Sequence, residues 1–236
     1  MNGWKVSYML LGLGIGFANT SRAQTIVTDR PDQTESATIV PLGMLQWEGG
    51  VLSETGDWTI PNSLFRLPVR EDFEFRWVYN RQPSSVDMEV GFKWNVLDGE
   101  RNGTMLAILS HWAMPTSAEQ SDWGSSHKIC VSHDVGDQWA LGYNLGVQGA
   151  NSTWDMLYTL AIGRSVWKGW SVYAEPYGTY DLDTGLEARF DAGVTWLQNS
   201  RTQWDWSYGW GLNDSYQYQA IGLSWLIGEP TMVAID

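Results

Sequence analysis

The chain of 236 residues has one cysteine, about half as many basic as acidic residues, and no apolar run long enough to cross a bilayer as a helix. Each shortage excludes something. Cys130 has no partner for an internal disulfide, and there is no C-x-x-C pair or His/Cys cluster at metal-binding spacing, so neither a disulfide framework nor a structural zinc site is expected. The 14 Lys and Arg against 27 Asp and Glu give a formal charge of −13, which argues against a nucleic-acid partner. The sequence also lacks a Gly-x-Ser-x-Gly elbow, a phosphate loop and a dinucleotide fingerprint, and no cofactor is expected.

The one apolar run, Tyr8 to Phe17, follows Lys5 and precedes Ser21-Arg22-Ala23. A positive start, a short apolar stretch and a small-x-small site read as a secretory signal over 1–23. Three further parts are expected: a polar N-terminal segment (24–42), a strand-rich body (43–227) and a C-terminal tail (228–236).

What the sequence has in quantity is alternation. In "VDMEVGFKWNV", Val86, Met88, Val90, Phe92, Trp94 and Val96 fall on one face, and Asp87, Glu89, Gly91, Lys93 and Asn95 on the other. The stretches "FEFRWVYN", "QWALGYNLGVQ" and "QWDWSYGWG" repeat the pattern. Gly, Asn, Asp and Ser punctuate such runs so regularly that no conventional helix is visible after the signal. About twelve strands are read this way, near 43–54, 63–69, 73–80, 85–96, 104–114, 127–134, 138–148, 155–166, 170–180, 187–197, 202–211 and 218–227. Most odd-to-even links read as loops and most even-to-odd links as tight turns. An even count, strands of about ten residues and an apolar/polar dyad predict an all-β fold, a closed antiparallel transmembrane β-barrel in outer-membrane lipid of the bacterial outer membrane. Trp139, Trp167 and Trp170 beside tight turns, with Trp154 and Trp210 toward the loops, fit interfacial girdles. A soluble sandwich or lipocalin-like barrel alternates too, but would have to bury most of 16 Trp.

Parity assigns the inward charges. The expected lumen residues are Glu48, Arg66, Glu74, Arg76, Asp87, Glu89, Lys93, Lys128, Glu175, Arg189, Asp191 and Asp205. Seven acids against five bases would pair, forming either the wall of a narrow water-filled channel or a cross-linked polar plug.

The stretch Thr25 to Ser36 of the polar segment has no apolar face to bury. Within it, Thr28, Asp29, Arg30, Pro31, Asp32, Gln33, Thr34, Glu35 and Ser36 spell T-D-R-P-D-Q-T-E-S. With the Pro-x-Gly turn at 41–43 and "LQWEGGV" after it, this stretch resembles the start of the outer-membrane barrels of the MetA-pathway-of-phenol-degradation, or transporter-like, family. "VYAEPYGTY" and "FDAGVTWLQN" are compatible with it. The resemblance implies a barrel that takes up small, often hydrophobic molecules. One departure is visible: such barrels commonly end on a terminal aromatic, whereas Trp225 is followed by "LIGEPTMVAID". Two readings of the segment stay open. Either it tucks into the lumen or across its lower mouth, with Arg30 bonded to inward carboxylates, or it is a solvated periplasmic tether.

The expected function is a passive or facilitated channel for small, apolar or aromatic molecules. The alternative is a non-conducting structural or cell-surface barrel with 114–127 as its contact surface. A remoter alternative is a lipid hydrolase, suggested by Ser110-His111 and Ser132-His133. Neighbours on a strand point to opposite faces, so neither pair can bond within its own strand; His111 with a serine on the adjacent strand stays open. The permeant, protein partners and oligomeric state are not legible.

Overall fold

The computed structural model describes residues 25–82, 86–99, 103–114, 116, 123–150 and 153–231. The signal read over 1–23 lies outside these residues, as do 232–236 and half of the proposed contact surface at 114–127. The described backbone forms twelve strands: β1 (Met44–Glu54), β2 (Asp57–Arg70), β3 (Phe73–Arg81), β4 (Val86–Asp98), β5 (Thr104–Met114), β6 (Gly124–Val135), β7 (Trp139–Ala150), β8 (Thr153–Trp167), β9 (Trp170–Asp181), β10 (Gly185–Asn199), β11 (Thr202–Gly211) and β12 (Gln217–Gly228). Each strand pairs antiparallel with its sequence neighbours, and β1 pairs with β12 from Met44↔Gly228 to Glu54↔Tyr218. The sheet is a closed barrel without an edge, so its strand backbones find partners in one another rather than in solvent.

Its polarity is inverted. The largest fully buried side chains include Arg66, Lys93, Gln46, Glu48, Glu74, Glu175, Asn144 and Asp191. Outside, Leu145, Ile162, Ile129, Val172 and Ile221 lie bare, Leu145 59% and Ile221 60% exposed. A water-soluble protein rarely leaves so continuous an apolar band uncovered, and around a closed barrel that band is a lipid-facing surface. Exposed tryptophans bracket it. Trp94, Trp139, Trp167, Trp170, Trp204 and Trp225 lie toward the end where β1 begins and β12 finishes, and Trp58, Trp112, Trp154 and Trp210 toward the other. At the first end Trp170 stacks on Trp196 at 5.7 Å, and the Arg164 guanidinium sits 5.0 Å over the Trp139 ring.

The strands run longer than the alternation suggests. β2 was expected from 63 but begins at Asp57, after a turn at Thr55 and Gly56 with positive φ (49° and 100°). Pro61 hid this extension because a proline cannot donate to a ladder. It is accommodated at a bulge, where the pairing passes from Gly50↔Asn62 to Leu52↔Thr59 and leaves Ile60 and Pro61 over. β6, β8 and β10 also start before the expected 127, 155 and 187, so the length asymmetry of the connections shrinks and only 115–123 is long. β12 continues to Gly228, and the chain beyond it folds back, Thr231 N–H donating to the Leu42 carbonyl at 2.7 Å.

Val90 on β4 is 41% exposed, while its neighbour Glu89 points into the barrel against His111. Val90→Arg is expected to destabilise the refolded barrel by about 2–4 kcal/mol, and Glu89→Gln by much less, as read from heat-modified gel mobility in urea. Equal tolerance at the two positions would contradict the orientation of β4.

Candidate functional site

Residues 25–42 lie inside the barrel. The segment enters at the end where β1 begins, Ile26 N–H donating to the Ser200 carbonyl in the β10–β11 turn at 2.8 Å. It rises to Gln33 and Thr34, then returns to Leu42 ahead of β1. Ser36 closes this loop on itself, its N–H and its hydroxyl both donating to Asp29 Oδ1 at 2.8 Å. The peptide bond between Arg30 and Pro31 is cis.

The wall meets the segment with sorted charge. On β2, β3 and β4, Arg66, Arg76 and Lys93 point to one place, because inward residues of adjacent strands stand side by side. Asp29 Oδ2 takes all three: Arg76 Nη1 at 2.6 Å, Lys93 Nζ at 2.7 Å and Arg66 Nη1 at 3.4 Å. Glu35 follows, accepting from Arg76 Nη2 at 2.8 Å. Arg66 is further bound by Glu74 at 2.8 Å and Glu48 at 3.2 Å, and donates to the Val27 and Thr38 carbonyls. Across the lumen the pairing reverses. Arg30 of the segment reaches Asp205 on β11 at 3.2 Å and Asn62 on β2 at 2.7 Å. Charges so far from water are tolerated because they are paired and hydrogen-bonded.

Polar wall residues satisfy the segment's backbone. Glu48 accepts from the Asp29 and Arg30 amides, Glu74 from Val40 and Glu175 from Gln33. Asn144 bonds Glu35 twice, accepting from its N–H at 2.7 Å and donating to its carbonyl at 2.9 Å. Ser132 and Asn95 bind the two sides of Ala37, and the Thr34 hydroxyl donates to Glu175 at 2.6 Å. One glycine makes room: a Cβ on Gly222 would lie 2.4 Å from Arg30 Nε and 2.6 Å from Asp205 Oδ2.

Eight of the twelve charges expected in the lumen are buried and the other four, Asp87, Glu89, Lys128 and Arg189, partly so, and they do not form one site. Glu48, Arg66, Glu74, Arg76 and Lys93 form the cluster around Asp29, and Glu175, Asp191 and Asp205 occupy the opposite wall. Lys128 stands 4.0 Å from Glu35. Asp87 and Glu89 lie half-buried toward the far mouth, and Arg189 is on its rim, over the Tyr216 ring at 3.8 Å and bonded to Glu187 and Asp214. The neutral partners Asn95, Ser132 and Asn144, together with Gln46, which donates to the Val27 carbonyl at 2.8 Å, and Thr159, whose hydroxyl meets that of Thr34 at 2.6 Å, are not among the residues that sequence marks. They share the inward parity of the charges, but a neutral amide or hydroxyl on that parity carries no sign to mark it.

The histidines are spoken for. His111 Nε2 accepts from Arg76 Nε at 3.0 Å and its Nδ1 meets Glu89 at 2.9 Å, so its partners are an arginine and a carboxylate, not a serine. His133 bonds Thr104 and stacks on Tyr143. Ser110 does contact a histidine, His127 of β6, at 3.0 Å, but on the outer surface between Trp112 and Trp154; no carboxylate or amide among the described residues orients that ring.

Two cavities flank the segment. One, about 400 Å³, opens toward the far mouth and is lined by Arg30, Gln33, Leu64, Val78, His111, Tyr216 and Tyr218 among others. The second, about 300 Å³, lies on the opposite side of the loop against Thr34, Thr38, Met105, Ser132, Leu141 and Tyr173. Asp32 lines both.

No family model matches the sequence, and no curated protein matches it. Solved structures share the fold. The KdgM porin in complex with disordered oligogalacturonate superposes with a TM-score of 0.62 at 9% identity, over 77% of this chain and 98% of that one. The NanC porin gives 0.62 at 8% identity, over 77% and 98%. An outer membrane channel from Pseudomonas putida F1 gives 0.57 at 9% identity, over 85% and 100%. At such identity the likeness is one of fold: the chain is a closed twelve-stranded antiparallel barrel of the kind these outer-membrane channels adopt.

Asp29→Asn removes the charge that three buried cations share, and is expected to weaken docking of the segment by about 3–5 kcal/mol. Cleavage after Glu35 by a glutamyl endopeptidase in the folded barrel reports it. The wild type should resist and the variant be cut; equal resistance would mean that Asp29 does not anchor the loop.

Proposed function

We propose that the chain is a bacterial outer-membrane channel for small molecules whose bore is set by its own N-terminal segment. The observation that carries this reading is the loop 25–42 standing between two lumen cavities, with Asp32 on the boundary of both. A barrel of twelve strands encloses a lumen wide enough for side chains and a small solute, and a peptide loop inside it leaves passage only for something narrow. The outer cavity sets Leu52, Leu64, Val78, Leu109 and Tyr218 among its charges, which suits a small molecule with an apolar or aromatic part. The T-D-R-P-D-Q-T-E-S stretch supports kinship with the transporter-like barrels of the phenol-degradation family, and the porin and channel folds it shares support conduction over catalysis.

The density of buried ion pairs favours a second reading, a barrel that the loop seals permanently and that serves a structural role. Deleting Thr25 to Ser36 separates the two. On the channel reading single-channel conductance, or the swelling rate of reconstituted liposomes, rises while the barrel still folds, because the β1–β12 seam begins only at Met44. Arg30→Ala, which frees only the bonds to Asp205 and Asn62, gives a smaller rise. Unchanged permeability in both folded variants would favour the sealed barrel.

A further inference from the structure

Basic side chains are scarce in this chain, and most of those described are taken up by carboxylates. At the end of the barrel where β1 begins, Arg70 bonds Asp72 at 2.7 Å and Arg201 bonds Glu229 at 3.0 Å. Two others at that end have no such partner. Among the described residues neither Arg164, near the end of β8, nor Lys168, in the turn that follows it, forms an ion pair, and both are exposed. Each lies on a tryptophan instead: the Arg164 guanidinium 5.0 Å over the Trp139 ring, and Lys168 Nζ 5.0 Å over the Trp167 ring.

The sheet fixes where these groups stand. Arg164 is the direct cross-strand partner of Trp139 on β7 and of Val172 on β9, so it belongs to the same outward row as those two exposed side chains. Trp167 stands opposite outward Trp170, beyond a bulge that follows Ser165. Toward the middle of the membrane the same face continues as bare aliphatic surface, with Leu145, Leu160 and Ile162. The indoles add a second observation. Elsewhere at this end tryptophan N–H groups find protein acceptors, Trp94 in Asp72 at 3.2 Å and Trp204 in Gln198 at 2.9 Å. Trp139, Trp167 and Trp170 donate to none among the described residues.

A guanidinium and an ammonium on the lipid-facing rim, three unused indole donors around them and aliphatic surface behind call for an anionic oxygen group that brings its own hydrocarbon. We propose that this corner, made by the start of β7, the end of β8 and the β8–β9 turn, binds an anionic phospholipid of the leaflet on the side of the tight turns, which in such barrels is the periplasmic one. The phosphate lies between Arg164 and Lys168, the indoles donate to the glycerol and carbonyl oxygens, and the acyl chains cover Leu160 and Ile162. An arginine stacked on an aromatic ring keeps its edge donors free, and their fork matches two phosphate oxygens. Asp137 lines the same hollow as Lys168 but forms no ion pair with it, so it does not neutralise the corner. A free phosphate ion would leave the aliphatic row uncovered.

The test is native mass spectrometry of the refolded barrel, with its N-terminal loop, released from micelles that contain equal amounts of phosphatidylglycerol and phosphatidylcholine. The wild type should retain phosphatidylglycerol several-fold over phosphatidylcholine, and less so as the salt concentration rises. Arg164→Gln combined with Lys168→Gln should bring the ratio close to one, and each single change should move it part of the way. Arg70→Gln combined with Arg201→Gln removes the same charge from paired positions at the same end and should leave the ratio as it is; heat-modified mobility checks folding in each case. A wild type without preference, folded Arg164 and Lys168 variants that keep it, or an equal loss in the Arg70 and Arg201 pair overturns the site. Displacement of the lipid by inorganic phosphate would make it a site for the free anion and overturn the lipid assignment.

Discussion

A hydrocarbon layer offers a backbone amide nothing to bond to, and that constraint governs the rest of this molecule. It requires the sheet to close, which the β1–β12 seam does along eleven residue pairs. Closure reverses the usual sorting of side chains. Apolar residues such as Leu145 and Ile221 go outward, and Arg66, Glu74, Lys93 and Glu175 are left in the middle with little water. Charges in that position need partners, and at the depth of the loop the strands alone do not balance them: the buried charges of β2–β4 are Arg66, Arg76 and Lys93 against Glu74, with Asp87 and Glu89 nearer the far mouth, and those of β9–β11 are Glu175, Asp191 and Asp205, with Arg189 on the rim.

The segment 25–42 answers both imbalances in part. Its two outer acids, Asp29 and Glu35, sit six residues apart and reach the same arginine, while Arg30, next in sequence to Asp29, points to the acidic wall. The motif reads as a charge pattern complementary to a lumen divided by sign. The polarity of residues 28–36, puzzling in so aromatic a chain, follows from where they lie: a greasy sequence there would leave Glu48, Arg66 and Arg76 unpaired, whereas Ile26, Ala37 and Val40 on either side of it pack into small apolar clusters with Met44, Leu226, Ala107 and Cys130.

The fold was legible in the sequence because a period of two runs through most of the length of the strands between bulges, and because an outward tryptophan or isoleucine beside an inward charge tells which face is which. Strand ends were less legible. Pro61 reads as a break, and only the partner strand reveals the bulge that absorbs it. The inward charges were assigned by parity one strand at a time, but parity says nothing about height. That Arg66, Arg76 and Lys93 converge while Arg189 ends on the rim depends on the stagger between strands, which no single strand encodes. Neutral holders such as Asn144 and Ser132 were in view but anonymous, since an amide or hydroxyl acquires meaning only from the peptide group opposite it.

The loop also enters and leaves by the same end of the barrel, with Ile26 held by the β10–β11 turn and Leu42 leading straight into β1. It is therefore not threaded through the ring, and ring and loop are not interlocked. The plug can be drawn out past that end without parting a single rung of the seam, and a barrel that closes first can still be loaded afterwards. Assembly of the wall and occupancy of its interior are in that sense independent events, ordered by affinity rather than by topology.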